Sequence, residues 1–158
     1  MFGRAVIAVL ALPGVFGAAV PLAVAATDPW RVRGHGFGVV VIGIGGLMLG
    51  RCILDFYRSG KGTLAPWAPP ERFVVTGLYR YTRNPMYIAV LFIVCGIALF
   101  FGSPLAAVYC IVLSTGFHLR VVLHEEPWLA RRFGEAWQKY EAAVPRWVPR
   151  SLGRRVKE

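Results

Sequence analysis

Two short stretches hold the side chains with the clearest chemical potential, and both stand at the edges of one apolar run. The first, Gly77 to Tyr87, reads GLYRYTRNPMY and sets Arg80, Arg83, Asn84, Pro85 and the tyrosines Tyr79, Tyr81 and Tyr87 beside the start of that run. The second, His124-Glu125-Glu126-Pro127-Trp128, closes the run from the other end, just after Arg120. A hairpin through an apolar layer brings the two together, and their meeting place is the candidate active site. These residue types suit a ligand that carries both signs of charge. Glu125 or Glu126 answers cationic groups, an arginine such as Arg83 answers a carboxylate, and the tyrosines and Trp128 offer aromatic faces. Arg120 needs a partner near an interface; Glu125 or Glu126 can serve, and the same arginine can hold an anionic acceptor such as a carboxylate.

Each stretch also has a plainer reading. Glu125-Glu126-Pro127 is a good helix opening, with acids at the positive end of the dipole and proline at the first position. Arg80 and Arg83 can anchor a span among headgroups, and Asn84-Pro85 can simply start a helix. His118 and His124 lie near the site and receive no catalytic role.

The surroundings must be membrane. Of 158 residues, 56% are hydrophobic and 16% charged, with a mean hydropathy of +0.55, whereas a soluble domain is about 25% charged. The net charge of +10 sits in short segments beside the apolar runs, which fits topology signals and lipid headgroups and excludes nucleic acid as the reading of the basic excess. Cys52, Cys95 and Cys110 fall within apolar runs, with no spacing suited to disulfides or a metal.

The expected architecture is a single domain over residues 1–158, an all-α integral membrane protein. It has about four transmembrane helices, near 5–27, 35–56, 86–101 and 104–122, and an amphipathic surface helix near 126–144. The first span is uncharged from Ala5 to Thr27, long enough for a bilayer core at roughly 20 residues. Its basic start and Ala23-Val24-Ala25 end also resemble a cleavable signal peptide, but the stretch exceeds the usual signal core of about 7 to 15 residues. In the second span Gly43, Gly46 and Gly50 leave one face nearly bare, open to a close neighbour, and Arg51 can pair with Asp55 four residues on. Glycines and prolines make residues 58–76 a loop. No Asp, Glu, Lys or Arg occurs from Asn84 to Leu119, and Gly102-Ser103-Pro104 splits that run into two spans. Beyond it Leu129, Phe133, Trp137, Tyr140 and Val144 recur at helical spacing, Pro145 and Pro149 stop the helix, and Arg150 to Lys157 form a basic tail. Four spans put both termini and the 58–76 loop on one side, with Arg4, five Lys or Arg from Arg58 to Arg83 and nine from Arg120 onward, against only Arg31 and Arg33 opposite. The positive-inside rule makes the first side cytoplasmic, as in a bacterial inner membrane.

GLYRYTRNPMY, an apolar hairpin and then HEEPWLARRFGEAWQKYEAAVPRWVP together resemble the isoprenylcysteine carboxyl methyltransferase family and its bacterial relatives, which include phospholipid methyltransferases. The resemblance covers roughly Gly62 to Pro149. It implies a small multi-helix membrane enzyme that uses S-adenosylmethionine near the cytosolic face. It further implies that Arg83-Asn84-Pro85-Met86-Tyr87 and Glu125-Glu126 bind the cofactor. Residue types alone add Tyr79 and Tyr81 to the cofactor-binding set and make Arg83 and Arg120 the candidates to act at the reacting groups. One departure stands out: eukaryotic carboxyl methyltransferases have histidine where this chain has Asn84, and an amide cannot titrate.

The expected function is methyl transfer from S-adenosylmethionine to a lipophilic acceptor, a small molecule or lipidated substrate drawn from membrane lipid. A carboxylate acceptor arrives ionised, whereas an amine needs a base that the sequence does not offer. Two other readings stand beside it. A sterol-type reductase using NADPH shares the Arg-Asn-Pro-x-Tyr region but commonly continues with Gly-Glu, where this chain has Ile88-Ala89-Val90. A non-catalytic membrane scaffold would keep the fold with an obstructed pocket. The sequence leaves the oligomeric state open.

Overall fold

The computed structural model describes residues 10–59 and 75–148, which form helices and short connectors with no strand among them. The 60–74 part of the expected loop and the basic tail from Arg150 lie outside the described residues. Helix α1 covers residues 10–27, wound as a π-helix over Leu10–Ala19 and as an α-helix over Val20–Thr27. Pro21 offers no N–H to the preceding turn. The Phe16 carbonyl five residues back instead accepts the Tyr109 hydroxyl at 2.8 Å, which ties α1 to the later hairpin.

Helix α2, Phe37–Ser59, begins two residues after and ends three residues beyond the expected span of about 35–56, with Arg51 and Asp55 paired at 3.3 Å near its end. A 3₁₀ turn, Gly77–Arg80, precedes the hairpin of α3, Pro85–Phe101, and α4, Pro104–Arg120. The hairpin turn follows from its residues. Gly102 takes the left-handed conformation at φ 59° that closes α3, and the Ser103 hydroxyl accepts the Ala106 N–H at 3.1 Å to cap α4, with Pro104 at its first position. Ala25, Ile97, Ala98 and Ala106 form the buried core between α1 and the hairpin.

The helix pair α2–α3 packs backbone to backbone, but not on the glycines that the spacing singled out. Gly43, Gly46 and Gly50 face open space. The close approach is made by Gly38 and Gly45 with Gly96 of α3: a Cβ at Gly38 would lie 2.5 Å from the Phe100 nitrogen, and one at Gly45 2.7 Å from the Ala89 carbonyl oxygen. The face is chosen from outside the helix. Val32 N–H bonds the Gly102 carbonyl and His35 N–H the Leu99 carbonyl, each at 2.9 Å, and this fixes how α2 enters against α3.

Asp28 anchors the same end. One of its oxygens accepts the Ser103 hydroxyl and the Leu105 N–H, and the other accepts the Trp30 N–H at 2.8 Å. Burial alone would raise its pKa, but these hydrogen bonds, led by Ser103 and helped by Arg31, hold it below the ordinary value. A depressed carboxyl contributes stability that is full above the unfolded value of about 3.9 and is lost as pH falls through the lower folded value. Thermal unfolding in detergent from pH 6 down to pH 3 should therefore show a loss that is smaller in Asp28→Asn, which has no charge to neutralise.

Past α4 the chain differs from the expected separate surface helix. A π turn at Val121–Glu125 carries α4 on into α5, Glu126–Phe133, so the helix is continuous over Pro104–Phe133. Pro127 has no N–H and its ring crowds the carbonyl four residues back, and one wider turn just before it accommodates both defects. The second break is Gly134, whose φ of 52° and ψ of −121° end α5 and begin α6, Glu135–Ala143. The apolar spacing nonetheless does its work: Trp137, Tyr140 and Val144 are buried together, with Leu129, Phe133 and Val75 against them. Among the described residues two helices, Phe37–Asp55 and Pro104–Phe133, are long and apolar enough to cross a membrane.

Candidate active site

The hairpin sets the start of α3 and the end of α4 side by side, and Glu125 and Glu126 follow at the π turn. Being adjacent in a helix, the two acids point in different directions and collect separate partners. Glu125 joins Tyr87 and Arg120. The Tyr87 hydroxyl donates to Glu125 Oε1, Arg120 Nε donates to the same oxygen at 2.8 Å and also reaches the Tyr87 oxygen at 3.2 Å. The Tyr87 ring lies 4.5 Å from that of Phe117. Arg120 opens onto a depression of about 400 Å³ lined with Leu119, Leu123 and His124.

Glu126 is held by two arginines. Arg83 Nη1 lies 2.9 Å from its Oε1, and Arg146 grips both carboxylate oxygens, Nε to Oε1 and Nη2 to Oε2, each at 2.8 Å. Arg83 Nη1 also pairs with Glu141 Oε1 at 2.8 Å, and its guanidinium lies over the Trp137 ring at 5.6 Å. The Arg83 side chain is 9% exposed, and its Nε has no hydrogen-bond partner among the described residues. Desolvated charges are tolerated here because they come as alternating pairs in a favourable fork geometry.

The segment after α6 fastens this cluster to the first motif. Arg83 N–H bonds the Pro145 carbonyl at 2.9 Å. The Asn84 side-chain amide donates to the Arg146 carbonyl at 3.1 Å, and the Thr82 hydroxyl lies within 3.0 Å of that carbonyl and 3.1 Å of Trp147's. Trp147 Nε1 donates to His118 Nδ1 at 3.1 Å. Asn84 stands at the N-cap of α3, before Pro85, but its side chain makes no capping bond and is committed to residue 146. Tyr140 donates its hydroxyl to the Tyr79 carbonyl at 2.7 Å. Burial pushes the Tyr140 phenol above its ordinary pKa and that of Tyr79 likewise, so both stay protonated donors across the working range.

Of the expected site residues, Arg83, Asn84, Tyr87, Arg120, Glu125 and Glu126 are thus brought together, with Pro85 and the Tyr79 backbone among them. Tyr81 is exposed and has no side-chain partner among the described residues. Sequence reasoning missed Glu141, Arg146 and Trp147. The signal for the last two was Pro145-Arg146-Trp147-Val148-Pro149, where prolines forbid helix and leave an arginine and a tryptophan to find partners elsewhere.

A helical chain with two membrane-length apolar helices and a charged cluster where a hairpin's ends meet has the build of a membrane-embedded enzyme. The family model for phospholipid methyltransferase matches residues 37–136, and the chain belongs to that family. It is a membrane protein of the methyltransferase class, as the resemblance of its two motifs implied. No curated protein and no solved structure matches it. The family match spans both motifs and stops within α6, short of Glu141 and Arg146.

Proposed function

We propose that the chain transfers the methyl group of S-adenosylmethionine to a lipophilic acceptor at the cytosolic face of the membrane. The observation that carries this reading is the convergence of Tyr87, Arg120 and Glu125 at one point, which joins the two motifs across the hairpin. In this reading residues 1–158 form one domain of four spans with the described helices α1 to α4 at their centres. The basic excess around Arg83 and beyond Arg120 keeps the site and both termini cytoplasmic.

The donor set suits the cofactor. Glu125 and Glu126 can face its cationic groups, Arg83 its carboxylate, and Tyr79 and Tyr87 its ring system. Bound S-adenosylmethionine supplies an activated methyl group on a sulfonium. The residues around it need to align the acceptor and keep water out, since direct displacement asks for no covalent help from the protein. Arg120 stands between Glu125 and the depression, where Leu119 and Leu123 can carry the apolar part of an acceptor while the guanidinium orients an anionic nucleophile such as a carboxylate. Asn84 holds a backbone carbonyl and takes no proton, so this chemistry needs an acceptor that arrives ready to react.

Calorimetric titration of the detergent-purified protein with S-adenosylmethionine and separately with NADPH tests the reading. Saturable binding of S-adenosylmethionine is expected, weakened about tenfold or more in Glu125→Gln, as loss of one charge-assisted hydrogen bond predicts. Binding of NADPH alone would transfer the chain to the reductases. Binding of neither by folded protein would reject both.

A further inference from the structure

We infer that Arg146 is a built-in plug for the cofactor site: its guanidinium occupies Glu126 in the empty enzyme and is displaced by the ammonium group of the incoming ligand. The inference rests on the assignment of Glu126 to a cationic group of S-adenosylmethionine. It adds a residue outside the family-matched region and a competition that sets affinity and selects ligands by charge.

Three features point to a displaceable cation. The carboxylate of Glu126 is 12% exposed and already paired with Arg83, so Arg146 is the second guanidinium on it, and at 32% exposure the more accessible one. The contact is side chain to side chain, whereas the backbone at 145–147 is fixed separately by its bonds to Thr82, Arg83 and Asn84. The Arg146 side chain can therefore swing away without undoing the segment that carries it. Finally, exchanging a guanidinium for an ammonium on Glu126 conserves the charge balance of a cluster in which Arg83, Arg146, Glu126 and Glu141 sum to zero. A ligand without a cation cannot make that exchange and would leave a desolvated carboxylate half satisfied. Arg83 keeps Glu126 oriented throughout, which is the part of the arrangement a ligand does not need to disturb.

The test uses full-length protein in detergent and S-adenosylhomocysteine, which carries the same ammonium and carboxylate and does not react. Arg146→Gln, which retains the Arg83–Glu126 pair, is expected to bind it about tenfold tighter than wild type, as removal of one charge-assisted pair predicts. Arg146→Lys restores most of the wild-type value. An analogue lacking the amino group should gain nothing from Arg146→Gln. In the wild-type protein, phenylglyoxal modification of Arg146, mapped on peptides, should rise several-fold when S-adenosylhomocysteine saturates the site; this readout stands even if the variant folds poorly. Equal or weaker binding by folded Arg146→Gln, or unchanged modification under saturation, would overturn the plug while leaving the cofactor assignment intact. Failure of both wild type and variant to bind would remove the cofactor assignment, and the plug with it.

Discussion

Glu126→Gln is expected to be the most damaging single change of charge in the described protein. Its carboxylate faces Arg83 and Arg146 at 2.8–2.9 Å, and neutralising it leaves two guanidiniums side by side with Glu141 as the remaining acid in the cluster. Removing one partner of a buried ion pair costs about 3–5 kcal/mol. Here Arg146 is partly solvated and Glu141 still serves Arg83, so the loss should be nearer ~2 kcal/mol. At roughly 2–4 °C per kcal/mol for a chain of this size, the melting temperature in detergent should fall by about 4–8 °C. The control is Glu135→Gln, which breaks the pair with Lys139. That pair has the same 2.8 Å separation, but its side chains are 79% and 76% exposed, and exposed pairs contribute little. Distance is thus held constant and burial varied. Equal melting temperatures for the two variants would mean that burial of the Glu126 pairs adds nothing to stability. A double variant with Arg146→Gln should lose less than the sum of the single changes, because both act on one contact.

The parts of this site that could be read from sequence are those that local rules encode. The uncharged run from Asn84 to Leu119 broken at Gly102-Ser103-Pro104 specifies a hairpin, since each turn residue has a capping role and the run has nothing to expose. Once the hairpin is given, Tyr87 and Arg120 must end up near each other. The pairing of Arg83 with Glu141 and of Glu126 with Arg146 obeys no such rule, because the partners come from elements whose relative placement depends on how α5 and α6 fold back. That fold-back hinges on Gly134 and on the π turn before Pro127. A Glu-Glu-Pro sequence opens a helix as readily as it follows a wider turn in one that is already running, and local preference does not choose between them. The apolar spacing from Leu129 to Val144 survived the break at Gly134 because the bend returns Trp137 and Tyr140 to the same cluster as Phe133. Asp28 shows the same limit at the far end, where a residue in a short polar connector finds its partners in Ser103 and Leu105.

Glycine spacing misled for a reason that can be tested, and Gly38→Ala against Gly46→Ala is the pair that does so. Both are small-residue positions in one apolar helix, and alanine is the better helix former at either by about 1 kcal/mol. At Gly46 a methyl group meets open space, so that preference should show as an unchanged or slightly raised melting temperature. At Gly38 the new Cβ would lie 2.5 Å from the Phe100 nitrogen and 2.6 Å from the Gly96 carbonyl oxygen, and backbone atoms cannot turn aside as a side chain does. The helices must separate, yet the bonds from Val32 and His35 to Gly102 and Leu99 hold them together just above that level. Overpacking of this kind costs about 1–3 kcal/mol and occasionally more; the tether places Gly38→Ala at the upper end, a fall of roughly 6–12 °C at the same conversion. A combined Gly43→Ala, Gly46→Ala, Gly50→Ala variant should still melt no lower than wild type. If it melts lower while Gly38→Ala does not, the stripe and not the Gly38 face carries the helix contact, and α2 would have to be turned about its axis relative to α3. Because α3 begins at Pro85 and carries Tyr87, such a rotation would also move the floor of the site, so the glycine pair reports on the geometry that positions the Tyr87, Arg120 and Glu125 contacts.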